Sequence, residues 1–129
     1  MNPECFLHRA GNIALGVAGG DILDYVRHNP SLTLVAYSPL LSGAYVRDDK
    51  PLGREHDHSG TPVRLTALRE VAAETGATAN QVVLSWLIGG EIPVVPLVGA
   101  SSVAQLDESL AAVDLELTAD QRARLDAAE

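Results

Sequence analysis

Residues 93–110, PVVPLVGASSVAQLDESL, run from an apolar segment straight into a helical pattern across a turn of small residues. Val94, Val95, Leu97 and Val98 read as a strand, Gly99-Ala100-Ser101-Ser102 as the turn, and Ser102-Val103-Ala104-Gln105 as a capping box that opens a helix. Unpaired backbone N–H groups and the positive end of the helix dipole then point beyond the strand end. That is an anion cradle, and phosphate is its usual guest.

A second segment of the same kind lies upstream. Leu32-Thr33-Leu34-Val35-Ala36-Tyr37 is β-branched and apolar on both faces, as buried parallel strands are, and Ser38-Pro39-Leu40-Leu41-Ser42-Gly43 ends it. Cys5 to Leu7 could form a further short strand, and the Gly-rich residues 10–20 read as a loop. Asp21 to Arg27 predicts a short amphipathic helix, with Asp21 as N-cap and Asn29-Pro30 as its stop. Residues 44–60, charged and punctuated by Gly, Pro and His, read as a long surface loop of the kind kept for function.

Thr61 and Pro62 predict a helix start, with Leu65, Leu68, Val71 and Ala72 as its apolar stripe and Gly76 as its end. Thr78-Ala79-Asn80-Gln81 and Thr118-Ala119-Asp120-Gln121 are two more capping boxes. The helix after Thr78 carries Val82, Val83, Leu84, Trp86 and Leu87, apolar on nearly every side. It should be buried, with Trp86 as a core anchor.

Strands separated by helical crossovers pair in parallel. Two strands, or three, set against about five helices leave a parallel sheet with open edges and nothing to close it. The pattern is part of a larger α/β fold. A net charge of −8 argues against nucleic acid and anionic membranes as partners, and no apolar run reaches the length of a membrane span. Cys5 is the only cysteine, and the N-terminus has no basic segment followed by an apolar one, so the expected location is cytoplasmic. Glu55-His56-Asp57-His58 reads as a solvated acidic stretch rather than a metal site, because no further ligand is placed beside it.

Val35-Ala36-Tyr37-Ser38-Pro39-Leu40-Leu41-Ser42-Gly43 resembles the end of barrel strand seven in aldo-keto reductases. Gly99-Ala100-Ser101-Ser102-Val103-Ala104-Gln105-Leu106-Asp107-Glu108-Ser109 resembles the turn and helix after strand eight. The helix with Gln81, Leu84 and Trp86 matches the family's Q-x-x-L-x-W spacing, Leu115 to Thr118 matches the lead into the last helix, and Phe6-Leu7-His8-Arg9 resembles the end of strand six. The resemblance implies an incomplete (β/α)8 TIM barrel: strands seven and eight with their helices, and the end of strand six. It implies NADP(H) as cofactor, no metal, and carbonyl reduction as the family's reaction, with the site at the C-terminal strand ends.

Carried over residue by residue, Tyr37 resembles the ring that stacks on the nicotinamide, and Ser38, Pro39 and Leu40, with Gly43, the loop along the pyrophosphate. Gly99, Ser101 and Gln105 resemble the 2′-phosphate site, and Glu108 with Ser109 the adenine site, Glu108 accepting from the amino group. Many members carry Lys or Arg where Gly99 and Gln105 stand, and Asn where Ser109 stands. Ser102 and Gln105 also have a purely structural explanation in the capping box.

The family's catalytic Asp, Tyr, Lys and His fall upstream of the matched segments, so no residue of this chain is assigned a catalytic role. The chain is expected to be inactive alone and to bind nucleotide weakly or undetectably. The alternative is a non-catalytic barrel fragment that self-associates or binds a complementing barrel half, or a truncated gene product.

Overall fold

Three helices meet around one indole. Trp86 is 1 % exposed and packs in a cluster with Leu68, Val71, Val82, Val83, Val94, Leu117 and Leu125. The computed structural model describes residues 20–53, 56, 59–92 and 94–128. Within them, α1 (Gly20–His28) precedes β1 (Leu34–Tyr37), and a 3-10 turn (Leu41–Gly43) comes after it. Beyond the 44–60 segment come α2 (Thr61–Thr75), α3 (Ala79–Ile88), β2 (Val94–Leu97), α4 (Val103–Ala111) and α5 (Ala119–Ala127). The expected strand at Cys5 to Leu7 and most of the Gly-rich 10–20 segment lie outside the described residues.

β1 and β2 pair in parallel, with Leu34 opposite Val94, Val35 opposite Val95, Ala36 opposite Pro96 and Tyr37 opposite Leu97. Both strands are shorter than their apolar runs. One face of the pair, with Leu34, Ala36 and Val94, packs on the core. The other carries Val35, Val95 and Leu97, all about half exposed, and Tyr37, 85 % exposed. The two strands together form the whole sheet among the described residues.

The capping boxes of α3 and α5 form in full: Thr78 and Thr118 accept from the backbone N–H of Gln81 and Gln121, whose side chains accept from the cap N–H in return. Two helix starts differ from expectation. Asp21 lies inside the first turn of α1, because helical geometry already holds at Gly20. In α2, Gly60 is the N-cap and Thr61 the first helical residue; its hydroxyl is spent donating to the His56 carbonyl. Gly76 ends α2 in the left-handed conformation, φ 69°, as expected of a glycine stop.

Polar tethers lock α5 onto its neighbours. The Trp86 indole N–H donates to Asp126 at 2.8 Å, and the Arg122 guanidinium donates to the carbonyls of Ser85 and Trp86 at the end of α3. A Cβ at Gly89 would stand 2.1 Å from Arg122 Nη2, so only glycine lets the guanidinium reach those carbonyls. Arg64 is buried on α2 and donates to the Ala128 carbonyl at 2.9 Å. Arg124 forks onto Glu74. Its hydrogen bonds hold the Glu74 carboxyl below the usual carboxylate range. That contribution is complete above the ordinary glutamate pKa and fades as pH falls through the lowered one.

Candidate functional site

β1 and β2 end side by side, and the segments leaving their C-terminal ends form the two walls of one cleft of about 720 Å³. That volume falls in the range of small-molecule sites. The first wall is the loop after β1, with Tyr37, Ser38, Pro39, Leu40 and Gly43. The second is the turn and helix after β2, with Gly99, Ser101, Gln105, Glu108 and Ser109. All ten residues singled out in the sequence line this one cleft.

The first wall is strained. Ser38, Leu41 and Ser42 have φ of 53°, 48° and 56°, in the left-handed region that non-glycine residues enter at a cost of about 1 kcal/mol or more each. Gly43 continues the turn at φ 90°. Backbone hydrogen bonds from Leu41 to Ser38 and from Gly43 to Leu40 hold it tight. Pro39 is buried, and Leu40 and Leu41 pack on the core. The side chains of Ser38 and Ser42 and the ring of Tyr37 are left outside. Strain of this kind, fixed by a buried anchor, is common where a loop must present groups to a ligand.

In the second wall, Ser102 caps α4 by accepting from the Gln105 N–H. Gln105 does not close the expected box onto the cap N–H. Its Oε1 instead accepts from the backbone N–H of Ser101 at 2.8 Å and from the Ser101 hydroxyl at 3.0 Å. Two donors thus converge on a single oxygen at the head of the helix, the arrangement that an anion's oxygen would also satisfy. Glu108 is half-buried and partly committed: its Oε1 accepts from the Thr78 hydroxyl at 2.6 Å, and its carbonyl accepts from the Gln81 amide at 3.0 Å. These bonds fasten the start of α3 to α4.

Three polar residues of the cleft had no role in the sequence reading. Arg47 and Lys50 reach it from the 44–60 segment, and Asn80 from the first turn of α3. The signal for the cations was their position directly after the first wall. Asn80 carried no such signal, because a polar residue in the first turn of a helix is ordinary. Arg47 folds over Gly43, its Cδ 3.3 Å from where a Cβ would stand, and donates from Nε to Asp49 at 2.9 Å. That hydrogen bond holds the Asp49 carboxyl below its usual range. Among the described residues no cluster of three or more His, Cys, Asp or Glu side chains could hold a metal, and no helix is long and apolar enough to cross a membrane.

Comparison with known proteins extends this geometry. The profile of the Aldo/keto reductase family matches residues 17–129. The chain belongs to the aldo/keto reductase family. Its relatives include an uncharacterized oxidoreductase of Mycobacterium tuberculosis, 40 % identical over 103 residues, covering 69 % of this chain and 31 % of that protein. L-glyceraldehyde 3-phosphate reductase of Escherichia coli is 31 % identical over 123 residues, covering 81 % of this chain and 35 % of the reductase. Among solved structures, a thermostable aldo-keto reductase in complex with the inhibitor epalrestat superposes with a TM-score of 0.62 at 30 % identity, covering 84 % of this chain and 33 % of the other. The chain thus spans about a third of the length of these aldo/keto reductase relatives. Its two parallel strands and flanking helices are part of their α/β barrel.

Proposed function

We propose that this aldo/keto reductase chain forms the adenosine-phosphate end of a dinucleotide site, for NADP(H), in a barrel that interconverts carbonyls and alcohols. What carries the reading is the convergence of all ten residues on one cleft at the strand ends. Tyr37, 85 % exposed, offers its ring as the platform for the nicotinamide. Ser38, Pro39, Leu40 and Gly43 run along the pyrophosphate. The Ser101 N–H and hydroxyl, released from Gln105, donate to the 2′-phosphate. Glu108 and Ser109 border the adenine.

The donor set fits such a ligand, with hydroxyls and backbone N–H groups on both walls and two cations at the rim. When bound, the cofactor supplies the hydride. The residues of this chain position it and exclude water from its phosphates. They include no assigned proton donor for the carbonyl, so the 129 residues alone should give no turnover.

Titration of the 129-residue chain with adenosine 2′,5′-bisphosphate, monitored by NMR, should show saturable shifts at residues 99–109 with a Kd on the order of 1 mM. An unchanged spectrum at tenfold higher nucleotide overturns the cofactor reading. Reduction of a simple aldehyde with NADPH by the same protein overturns the claim that it is inactive alone.

A second reading rests on the uncovered sheet face. Val35 and Val95 face each other across the pair and Leu97 lies two residues further on the same face, all about half exposed, in a parallel pair whose edges carry no further strand among the described residues. Such a surface is covered in a barrel by further strands, from the same polypeptide or another. Size-exclusion chromatography of the isolated chain should therefore show concentration-dependent association. A monomer that melts cooperatively at every concentration would remove the need for a complementing half.

A further inference from the structure

The capping box of α3 does more than cap. Within the box, the Thr78 oxygen accepts from the Gln81 N–H at 3.2 Å, and Gln81 Oε1 accepts from the Thr78 N–H at 3.0 Å. The box on α5 closes at the same two distances, 3.2 and 3.0 Å, and among the described residues the Thr118 hydroxyl donates to no side chain. The hydroxyl hydrogen of Thr78 is likewise not needed by its cap. It goes to a carboxylate on another helix: Thr78 donates to Glu108 Oε1 at 2.6 Å, the length of a charge-assisted bond from a hydroxyl. The Gln81 amide adds a second bond, to the Glu108 carbonyl at 3.0 Å.

Glu108 lines the cleft, and Thr78 does not. Gln105 stands three positions earlier on the same side of α4, beside the Ser101 donors that form the anion cradle. A glutamate left free on that face can turn back along the helix toward the cradle, where its charge repels a phosphate. We propose that Thr78 is a positioning residue for nucleotide binding. By holding Oε1, it fixes the Glu108 carboxylate toward α3, clear of the phosphate, and leaves Oε2 to the cleft before any ligand arrives. The inference rests on the nucleotide site proposed above and adds a residue that acts on it from outside the cleft.

The two boxes serve as each other's control. Adenosine 2′,5′-bisphosphate is titrated into the 129-residue chain and into its Thr78→Val, Thr78→Asp, Thr78→Ser and Thr118→Val variants, and each melting temperature is recorded without nucleotide. Thr78→Val and Thr118→Val both lose a cap, so their melting temperatures should fall by similar amounts. Affinity should fall in Thr78→Val alone, by about fivefold, the scale of one hydrogen bond to a charged group. Thr78→Asp keeps a strong cap but has no proton to donate. It should melt near the wild type and bind at least as weakly as Thr78→Val. Thr78→Ser keeps both the cap and the donor and should bind as the wild type does. On a Glu108→Ala background, Thr78→Val should change affinity no further, because its effect runs through that carboxylate. Wild-type affinity in Thr78→Val, an equal loss in Thr118→Val, or a loss that persists without Glu108 overturns the role of Thr78 and leaves the nucleotide site standing. A wild type that does not bind at about 10 mM overturns the site itself, and this inference with it.

Discussion

Replacing Trp86 with alanine is expected to abolish the cooperative fold. The indole is the largest fully buried side chain and the place where α2, α3, α5 and β2 meet. Truncating a buried tryptophan costs about 3–5 kcal/mol. Domains of ordinary size have about 5–15 kcal/mol in hand, so a loss of this size removes a large share of it. The change also strips Asp126 of the indole donor. Circular dichroism should show a melting temperature lowered by more than about 10 °C, or no sigmoidal transition at all. Trp86→Phe keeps most of the apolar surface and loses the hydrogen bond, so it should fall between the two. Val113→Ala, at a position 65 % exposed, serves as the control and should change stability by less than about 0.5 kcal/mol. An alanine variant at position 86 that melts within a few degrees of wild type would mean that the three helices do not depend on a common centre.

Much of this core was legible because helix signals are local. Thr78 and Thr118 announce their helices with chemistry confined to four residues, and both boxes close as read. The starts of α1 and α2 were misplaced for the opposite reason. Gly20 carries no side-chain signal, and the Thr61 hydroxyl is drawn off by the His56 carbonyl, a contact that depends on how the preceding loop folds. Gln105 shows the same limit inside the site. Spacing assigns it to the cap, whereas the turn geometry brings Ser101 close enough to take both lone pairs.

The ten residues assigned by resemblance line one cleft because they lie on the two segments that leave the strand ends, where sequence order and spatial order agree. Arg47, Lys50 and Asn80 were missed because their presence in the cleft is set by tertiary packing: the fold of the 44–60 segment and the seating of α3 against α4.

Removing the two rim cations should weaken nucleotide binding more than any other change in the cleft. The chain carries a net charge of −8, so an approaching phosphate meets an unfavourable field unless local cations offset it. Gly99 and Gln105 contribute no charge to the second wall, and among the described residues Arg47 and Lys50 are the cationic side chains lining the cleft. Arg47 is held by Asp49, but the pair is exposed, 51 % and 66 % respectively. Exposed pairs of this kind are worth about 0–1 kcal/mol, so a phosphate can displace the carboxylate at little cost. A hydrogen bond to a charged group contributes about 1.5–3 kcal/mol. The Arg47→Ala, Lys50→Ala double variant should therefore bind adenosine 2′,5′-bisphosphate at least about tenfold more weakly than the parent chain. Asp49→Asn should move affinity the other way, because it frees the guanidinium without removing it. Salt provides an independent check: the parent's affinity should fall as ionic strength rises, and the double variant's should fall less. Parallel titrations with ADP separate the two phosphate positions. A loss confined to the bisphosphate assigns the cations to the 2′-phosphate, and an equal loss with ADP assigns them to the pyrophosphate. If the double variant and Asp49→Asn both bind as the parent does, the 44–60 segment carries its charges for solubility and the phosphates are held by backbone N–H groups and hydroxyls alone.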